Sequence, residues 1–281
     1  MYRFARPGLL AALVAGMAGS AFAADIAEPP IIEAPPPVYQ EVDYGGWYIR
    51  GDLDYHWSDF SGADYITYGS VVPEPGTGSF DTGDLKGAFS IGAGVGYQVN
   101  RYFRTDLTLD YWFSSDFTGS TSGVCGGVAC VSTDSSAYSA WLLLANAYVD
   151  LGTYYGITPY VGAGIGGARV QWDDLTNTID GTTDIHSGAQ SWRFAYALMA
   201  GASYCLTDRL KLDAGYRFSH INGGRMFEYA TPTLGGIGAG PGYDNGFNTH
   251  EVRAGLRYQF GGRNECSEPV AYVPPEPIYT K

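Results

Sequence analysis

The residues of this chain that could do chemistry are few. Four cysteines, Cys125, Cys130, Cys205 and Cys266, offer thiols for disulfides or for a metal, but no Cys/His spacing typical of zinc is present. His56, His220 and His250 could ligate a metal or act as bases, yet each stands alone in the sequence. The run Phe218-Ser219-His220-Ile221-Asn222-Gly223 sets a hydroxyl beside an imidazole. A serine nucleophile needs its base on the same side of the backbone, and adjacent residues of an extended chain point to opposite sides. The largest set is ionic: Arg50, Arg104, Arg193, Lys211, Arg217, Arg253 and Arg257 against Asp52, Asp54, Asp106, Asp110, Asp150, Asp213 and Glu251, all interleaved with apolar residues. Such charges can neutralise one another or line a polar path, depending on what holds them.

What holds them is a series of alternating segments. In Glu251-Val252-Arg253-Ala254-Gly255-Leu256-Arg257-Tyr258-Gln259-Phe260 every second residue is apolar and those between are polar, charged or glycine. Period two predicts a strand with one apolar face. Its other face is too charged for a protein core, whereas a strand with lipid on one side and a lumen on the other has this pattern. Seven more such strands are predicted at 46–57, 87–98, 102–113, 138–150, 158–170, 192–204 and 210–220. Strand 138–150 is the least regular, because Leu142 and Leu144 fall on its inward side. Connections are long at 58–86, 114–137, 171–191 and 221–249, and short at Asn100-Arg101, 152–156 and 205–209.

The expected fold is all-β: an eight-stranded antiparallel transmembrane β-barrel over residues 44–260, with four long extracellular loops and short periplasmic turns. Threading the strands up and down puts Trp57, Phe89, Phe113, Trp141, Trp192 and Phe218 near the outer rim, and Trp47, Tyr97, Phe103, Tyr204, Tyr258 and Phe260 near the inner one. The same threading predicts a Cys125–Cys130 disulfide in the second long loop and a Cys205–Cys266 disulfide on the periplasmic side. In a narrow lumen the balanced charges are expected to form a structural network. A solute path along inward glycine rows such as Gly162-x-Gly164-x-Gly166 is the alternative.

Composition agrees with this reading, with 23 Tyr and 40 Gly, and the formal charge of −13 without a basic stripe argues against nucleic acid as a partner. Arg3 and Arg6, the apolar stretch from Leu9 to Met17, and Ala21-Phe22-Ala23 read as a signal peptide over residues 1–23. After it, no run of 18 or more apolar residues predicts a spanning helix. Residues 24–43, with Pro29-Pro30 and Pro35-Pro36-Pro37, read as a periplasmic tether, and residues 261–281 as a periplasmic tail.

Gly45-Gly46-Trp47-Tyr48-Ile49-Arg50-Gly51, Thr158-Pro159-Tyr160-Val161-Gly162-Ala163-Gly164-Ile165-Gly166 and Gly255-Leu256-Arg257-Tyr258-Gln259-Phe260 resemble the opacity-type small porin and surface-antigen family of alphaproteobacterial outer membranes. The resemblance implies an abundant envelope protein embedded in outer-membrane lipid and lipopolysaccharide, with structural and surface-interaction roles and host or surface ligands on its long loops. Resembling envelope barrels also make the amine of Ala24, followed by Asp25, a candidate for covalent linkage to peptidoglycan. The chain departs from a barrel that ends on its terminal aromatic, since 21 residues follow Phe260. Residues 218–223 are similar to the His-x-Ser-Asn stretch of outer-membrane lipid A deacylases, but the nucleophile position holds Asn222. Neither an enzymatic activity nor a cofactor is expected.

Overall fold

The computed structural model of the protein describes residues 45–68, 76–229, 238–261 and 266. The signal segment 1–23, the tether 24–43 with Ala24, and the tail beyond 261 other than Cys266 lie outside the described residues. Eight strands form the wall: β1 (Gly46–Phe60), β2 (Ala88–Gln98), β3 (Phe103–Ser120), β4 (Thr133–Asp150), β5 (Ile157–Trp172), β6 (Gln190–Cys205), β7 (Leu210–Phe227) and β8 (Gly238–Phe260). Each pairs antiparallel with its neighbours in sequence. β8 pairs with β1 from Trp47↔Phe260 to Phe60↔Phe247, which closes the ring and leaves no unpaired wall edge along these segments.

The short turns are tight because side chains satisfy their backbone. Asn100 Oδ1 accepts the amides of Tyr102 and Phe103 at 2.8 and 2.9 Å, and Thr207 Oγ1 accepts that of Leu210 at 3.0 Å. Between the rims the wall faces outward with its apolar residues: Trp47, Leu53, Phe89, Leu107, Leu198 and Leu256 are exposed, whereas Asp54, Arg104, Asp110, Arg217 and Glu251 are buried inside. A water-soluble barrel would have the reverse arrangement. Aromatic pairs mark both edges of the belt, Trp47–Tyr97 and Tyr258–Phe260 at the inner rim, Tyr55–Phe89 and Tyr111–Trp141 at the outer.

The strands continue past the outer rim, further than sequence alternation predicts. β3 runs on to Ser120, β4 begins at Thr133, β7 reaches Phe227 and β8 begins at Gly238. In this extension the polarity of the wall inverts. On β3 the inward positions are Arg104, Asp106, Thr108, Asp110 and Trp112, then Phe113 and Ser114 both face out, and Ser115 and Phe117 face in. The register against β4 shifts between Trp112 and Ser115, so one bulge changes the phase of the alternation. On β8, Gly246 does the same at φ 88°, with Asp244 inward on one side of it and Phe247 on the other.

Inside the extension Phe117, Trp172, Phe227, Phe247, Tyr138, Leu175 and Ile221 are buried together, with Phe60, Tyr65 and Phe80 packed against them. Burying each large apolar side chain contributes about 1.5–3 kcal/mol, so this is an ordinary soluble core set above the membrane belt. The parts of the sequence expected as polar loops also carry strand structure, including Ala63–Tyr68, Gly76–Ser79, Thr82–Leu85, Leu175–Ile179 and Thr182–His186, all joined to the wall sheet. Their Thr, Tyr and Ile content favours strands, and their inner faces supply much of the upper core.

Candidate functional site

The strands present the ionic residues to one another in rows. β1 carries Arg50, Asp52, Asp54 and His56 inward, opposite Arg257, Gly255, Arg253 and Glu251 of β8. From β3, Asp106 and Asp110 reach across, and from β7, Arg217. The result is a continuous ladder. Arg50 bonds Asp52 at 2.8 Å and Asp106 at 3.2 Å; Arg253 bonds Asp52, Asp54 and Asp110 at 3.3, 3.2 and 3.2 Å; Arg217 bonds Asp110 at 2.7 Å and Glu251 at 2.6 Å.

Toward the periplasmic mouth lie two separate pairs, Arg104–Asp150 and Arg257–Asp213, each at 3.1 Å, and the buried Lys211. The Arg104 guanidinium sits 4.0 Å from the Tyr148 ring centre and 4.7 Å from that of Tyr160. Charges this deeply buried add little net stability as pairs, but removing one partner strands the other, which makes the network rigid in composition.

Side chains fill the lumen. The inward glycines exist because neighbouring residues occupy the space a side chain would need: a methyl on Gly96 would overlap the Tyr48 ring, one on Gly162 the Tyr148 ring, and one on Gly92 the Asp110 carboxylate. In the row Gly162-x-Gly164-x-Gly166, a methyl on the second glycine would overlap the Asn146 amide and one on the third the backbone of Leu143. The lumen also has two sides. Charges crowd the arc from β7 through β8, β1 and β2 to β3, while Leu142, Leu144, Ala168, Ala195, Ala197 and Met199 make the opposite arc apolar. Leu142 and Leu144, irregular for a lipid-facing strand, belong to this inner apolar arc.

Arg193 is placed differently from the other ionic residues. It bonds Asp244 at 2.6 Å, above the ladder, and Asp244 also accepts the Trp172 indole N–H at 3.1 Å and the Gly246 amide at 3.0 Å. Burial raises the Asp244 carboxyl above its usual range even with Arg193 beside it. Nothing in the alternation singled out Asp244, because it stands beyond the phase change at Gly246. His186, also in the extracellular layer, packs on Phe227 with ring centres 5.0 Å apart, and burial lowers its pKa.

The remaining candidates separate. His56 is buried inside, stacked on Trp112 at 4.5 Å, while His220 bonds Asn248 at 2.7 Å and His250 approaches Asp59 at 3.2 Å on the outward side. Ser219 turns into the lumen and donates to Glu251 at 3.3 Å, so Ser219 and His220 point to opposite sides of β7. Cys125 and Cys130 are disulfide-bonded, as are Cys205 and Cys266. The first bridge staples a separate hairpin, Ser122–Cys125 paired with Val128–Val131, whose Val124, Val128 and Val131 are 75, 70 and 64% exposed. Its base is fixed by Ser132, which bonds Thr121 and Asp134 at 2.8 and 2.6 Å.

The family model described as outer membrane protein beta-barrel domain matches residues 9–260. An uncharacterised protein of Brucella suis biovar 1 is 40% identical over 284 residues, spanning 89% of this chain and 98% of that one. A candidate adhesin of Rickettsia bellii is 30% identical over 61% of this chain and 75% of its own length. Among solved structures, the outer membrane protein OprG from Pseudomonas aeruginosa aligns with 77% of this chain and 97% of its own at a TM-score of 0.48 and 13% identity.

Proposed function

This chain belongs to the outer membrane protein beta-barrel domain family, and we propose that it works in the outer membrane as a closed barrel that braces the envelope and makes surface contacts through its extracellular layer. The observation that carries the reading is the packed lumen. The ionic ladder runs between rings of tyrosine below and the Trp112, Tyr138 and Phe247 layer above, each of these side chains being essentially inaccessible. A pore needs a continuous wet path, and here ion pairs and aromatic rings occupy it. The surface role is supported by the stapled hairpin, which holds three exposed valines in a fixed shape, and by the similarity to a rickettsial candidate adhesin.

A non-enzymatic role is supported by the opposed directions of Ser219 and His220. Membership of the opacity-type, alphaproteobacterial branch rests on the Gly45–Gly51, Thr158–Gly166 and Gly255–Phe260 motifs. Attachment of the Ala24 amine to peptidoglycan rests on the proline-rich, acidic composition of residues 24–43. Mass spectrometry of muramidase-released protein tests that linkage, and only unmodified Ala24 would remove it. Planar-bilayer recording of the purified protein tests the closed barrel. Silence at voltages that gate ordinary porins is expected, and steady single-channel steps would replace this reading with a narrow channel.

A further inference from the structure

Of the lysines and arginines on the described wall strands, Arg169 alone is exposed. In a chain of formal charge −13, the other cations of these strands are turned inward or half-buried, so a cation left on the outside calls for a partner. Its place is specific. On β5, Arg169 stands directly opposite Trp141 of β4 and Trp192 of β6, so the three form one outward row across adjacent strands at the outer aromatic rim. Trp141 and Trp192 are 43 and 65% exposed, and the Trp192 indole lies over Gly167, one row further into the belt.

One row toward the extracellular side, Ser139, Gln171 and Gln190 are aligned in the same way. Gln190 Oε1 accepts a hydrogen bond from Arg169 Nη2 at 2.7 Å, which fixes the guanidinium at the boundary between the indoles and the amide row. The nearest acidic residues along β5, Asp173 and Asp174, lie beyond this row on the aqueous side.

We propose that the Trp141–Arg169–Trp192 row, with Ser139, Gln171 and Gln190 above it, is a docking site for the phosphate of an anionic lipid in the outer leaflet. The chemistry is divided by depth. Indoles pack well against acyl chains and glycerol or sugar backbones at the interface. An arginine at that level gives a forked donor set that matches phosphate oxygens, and the amides and hydroxyl offer neutral donors for the rest of the headgroup. A protein ligand is a poorer fit, because the site sits on the lipid side of the wall and its lower half is indole. The site is independent of whether the lumen conducts.

The test uses the full-length protein in zwitterionic detergent with lipid A as probe, and reads the lipid-bound fraction by native mass spectrometry. Arg169→Gln is expected to lower lipid A retention about fivefold to tenfold, the size of one interfacial arginine–phosphate contact. Arg101→Gln, at an exposed periplasmic turn, is expected to leave retention unchanged. Both changes are on the surface, and the heat-modifiable gel shift of a folded barrel checks each variant. Equal retention by the wild type and Arg169→Gln overturns the site, and an equal loss in Arg101→Gln reduces it to nonspecific charge. Displacement of lipid A by millimolar inorganic phosphate would show a site for free phosphate rather than for lipid.

Discussion

Below the outer rim, β3 turns Asp106 and Asp110 inward and Leu107 and Leu109 outward; above it, the same strand turns Phe117 inward and Asp116 outward. The two storeys of this barrel solve the same problem in opposite solvents. In lipid, the outward apolar residues meet acyl chains, and the lumen is held by ion pairs and tyrosines beside the apolar arc of Leu142, Leu144 and Met199. In water, the ordinary hydrophobic effect returns and the interior becomes a core of Phe117, Trp172, Phe227 and Phe247. The bulge at Phe113-Ser114 on β3 and Gly246 on β8 reset the phase between the storeys, whereas β1 and β5 bring Phe60 and Trp172 inward without one.

Four experiments sharpen that contrast, starting with the largest effect. Arg217→Met removes the shared partner of Asp110 and Glu251, leaving buried Asp110 to Arg253 and buried Glu251 to Ser219, at a cost of roughly 3–5 kcal/mol. Urea unfolding of the barrel in detergent or vesicles should show the midpoint fall for the whole molecule; an unchanged midpoint would mean the ladder is not structural. Phe117→Ala in the upper storey costs about 3 kcal/mol by cavity formation, but locally. Hydrogen exchange should rise at residues 115–120 and 133–138 while the heat-modifiable migration of the barrel persists.

The third experiment is a pH series. Burial holds the His186 pKa below its unfolded value, so the folded state binds fewer protons than the unfolded one. The stability contributed by neutral His186 is therefore present above about pH 6.5, the unfolded value, and declines as the pH falls below it. Protection factors at residues 186–189 and 226–229, taken against the intrinsic exchange rate at each pH, should fall from pH 7.5 to pH 5, and His186→Leu should flatten that response. The smallest effect belongs to the stapled hairpin. Cys125→Ser should leave the global unfolding midpoint unchanged, because the hairpin is not part of the wall sheet, yet speed proteolysis at Gly126-Gly127.

Between the rims, the sequence was legible because lipid imposes one rule on every strand. Period two with apolar residues outward located all eight segments, and the inward Arg and Asp residues followed from the same phase. The short turns and both cysteine pairs followed from the threading. Beyond the rim the rule stops. Phe117 has the parity of the lipid-facing Phe113, and only the bulge between them brings it inside. Asp244 lay in a glycine-rich stretch whose phase Gly246 resets, so its pairing with Arg193 had no sequence signature. Leu142 and Leu144 were the one visible sign that part of the interior is apolar.

The most direct test of the two-storey account is a nitroxide scan of residues 107–118 in lipid vesicles. Oxygen accessibility should peak at the odd positions 107, 109, 111 and 113, and accessibility to an aqueous nickel reagent should then peak at the even positions 114, 116 and 118. Oxygen maxima that continue on odd positions through 117 would contradict it, since Phe117 would then face lipid and the upper core would not exist.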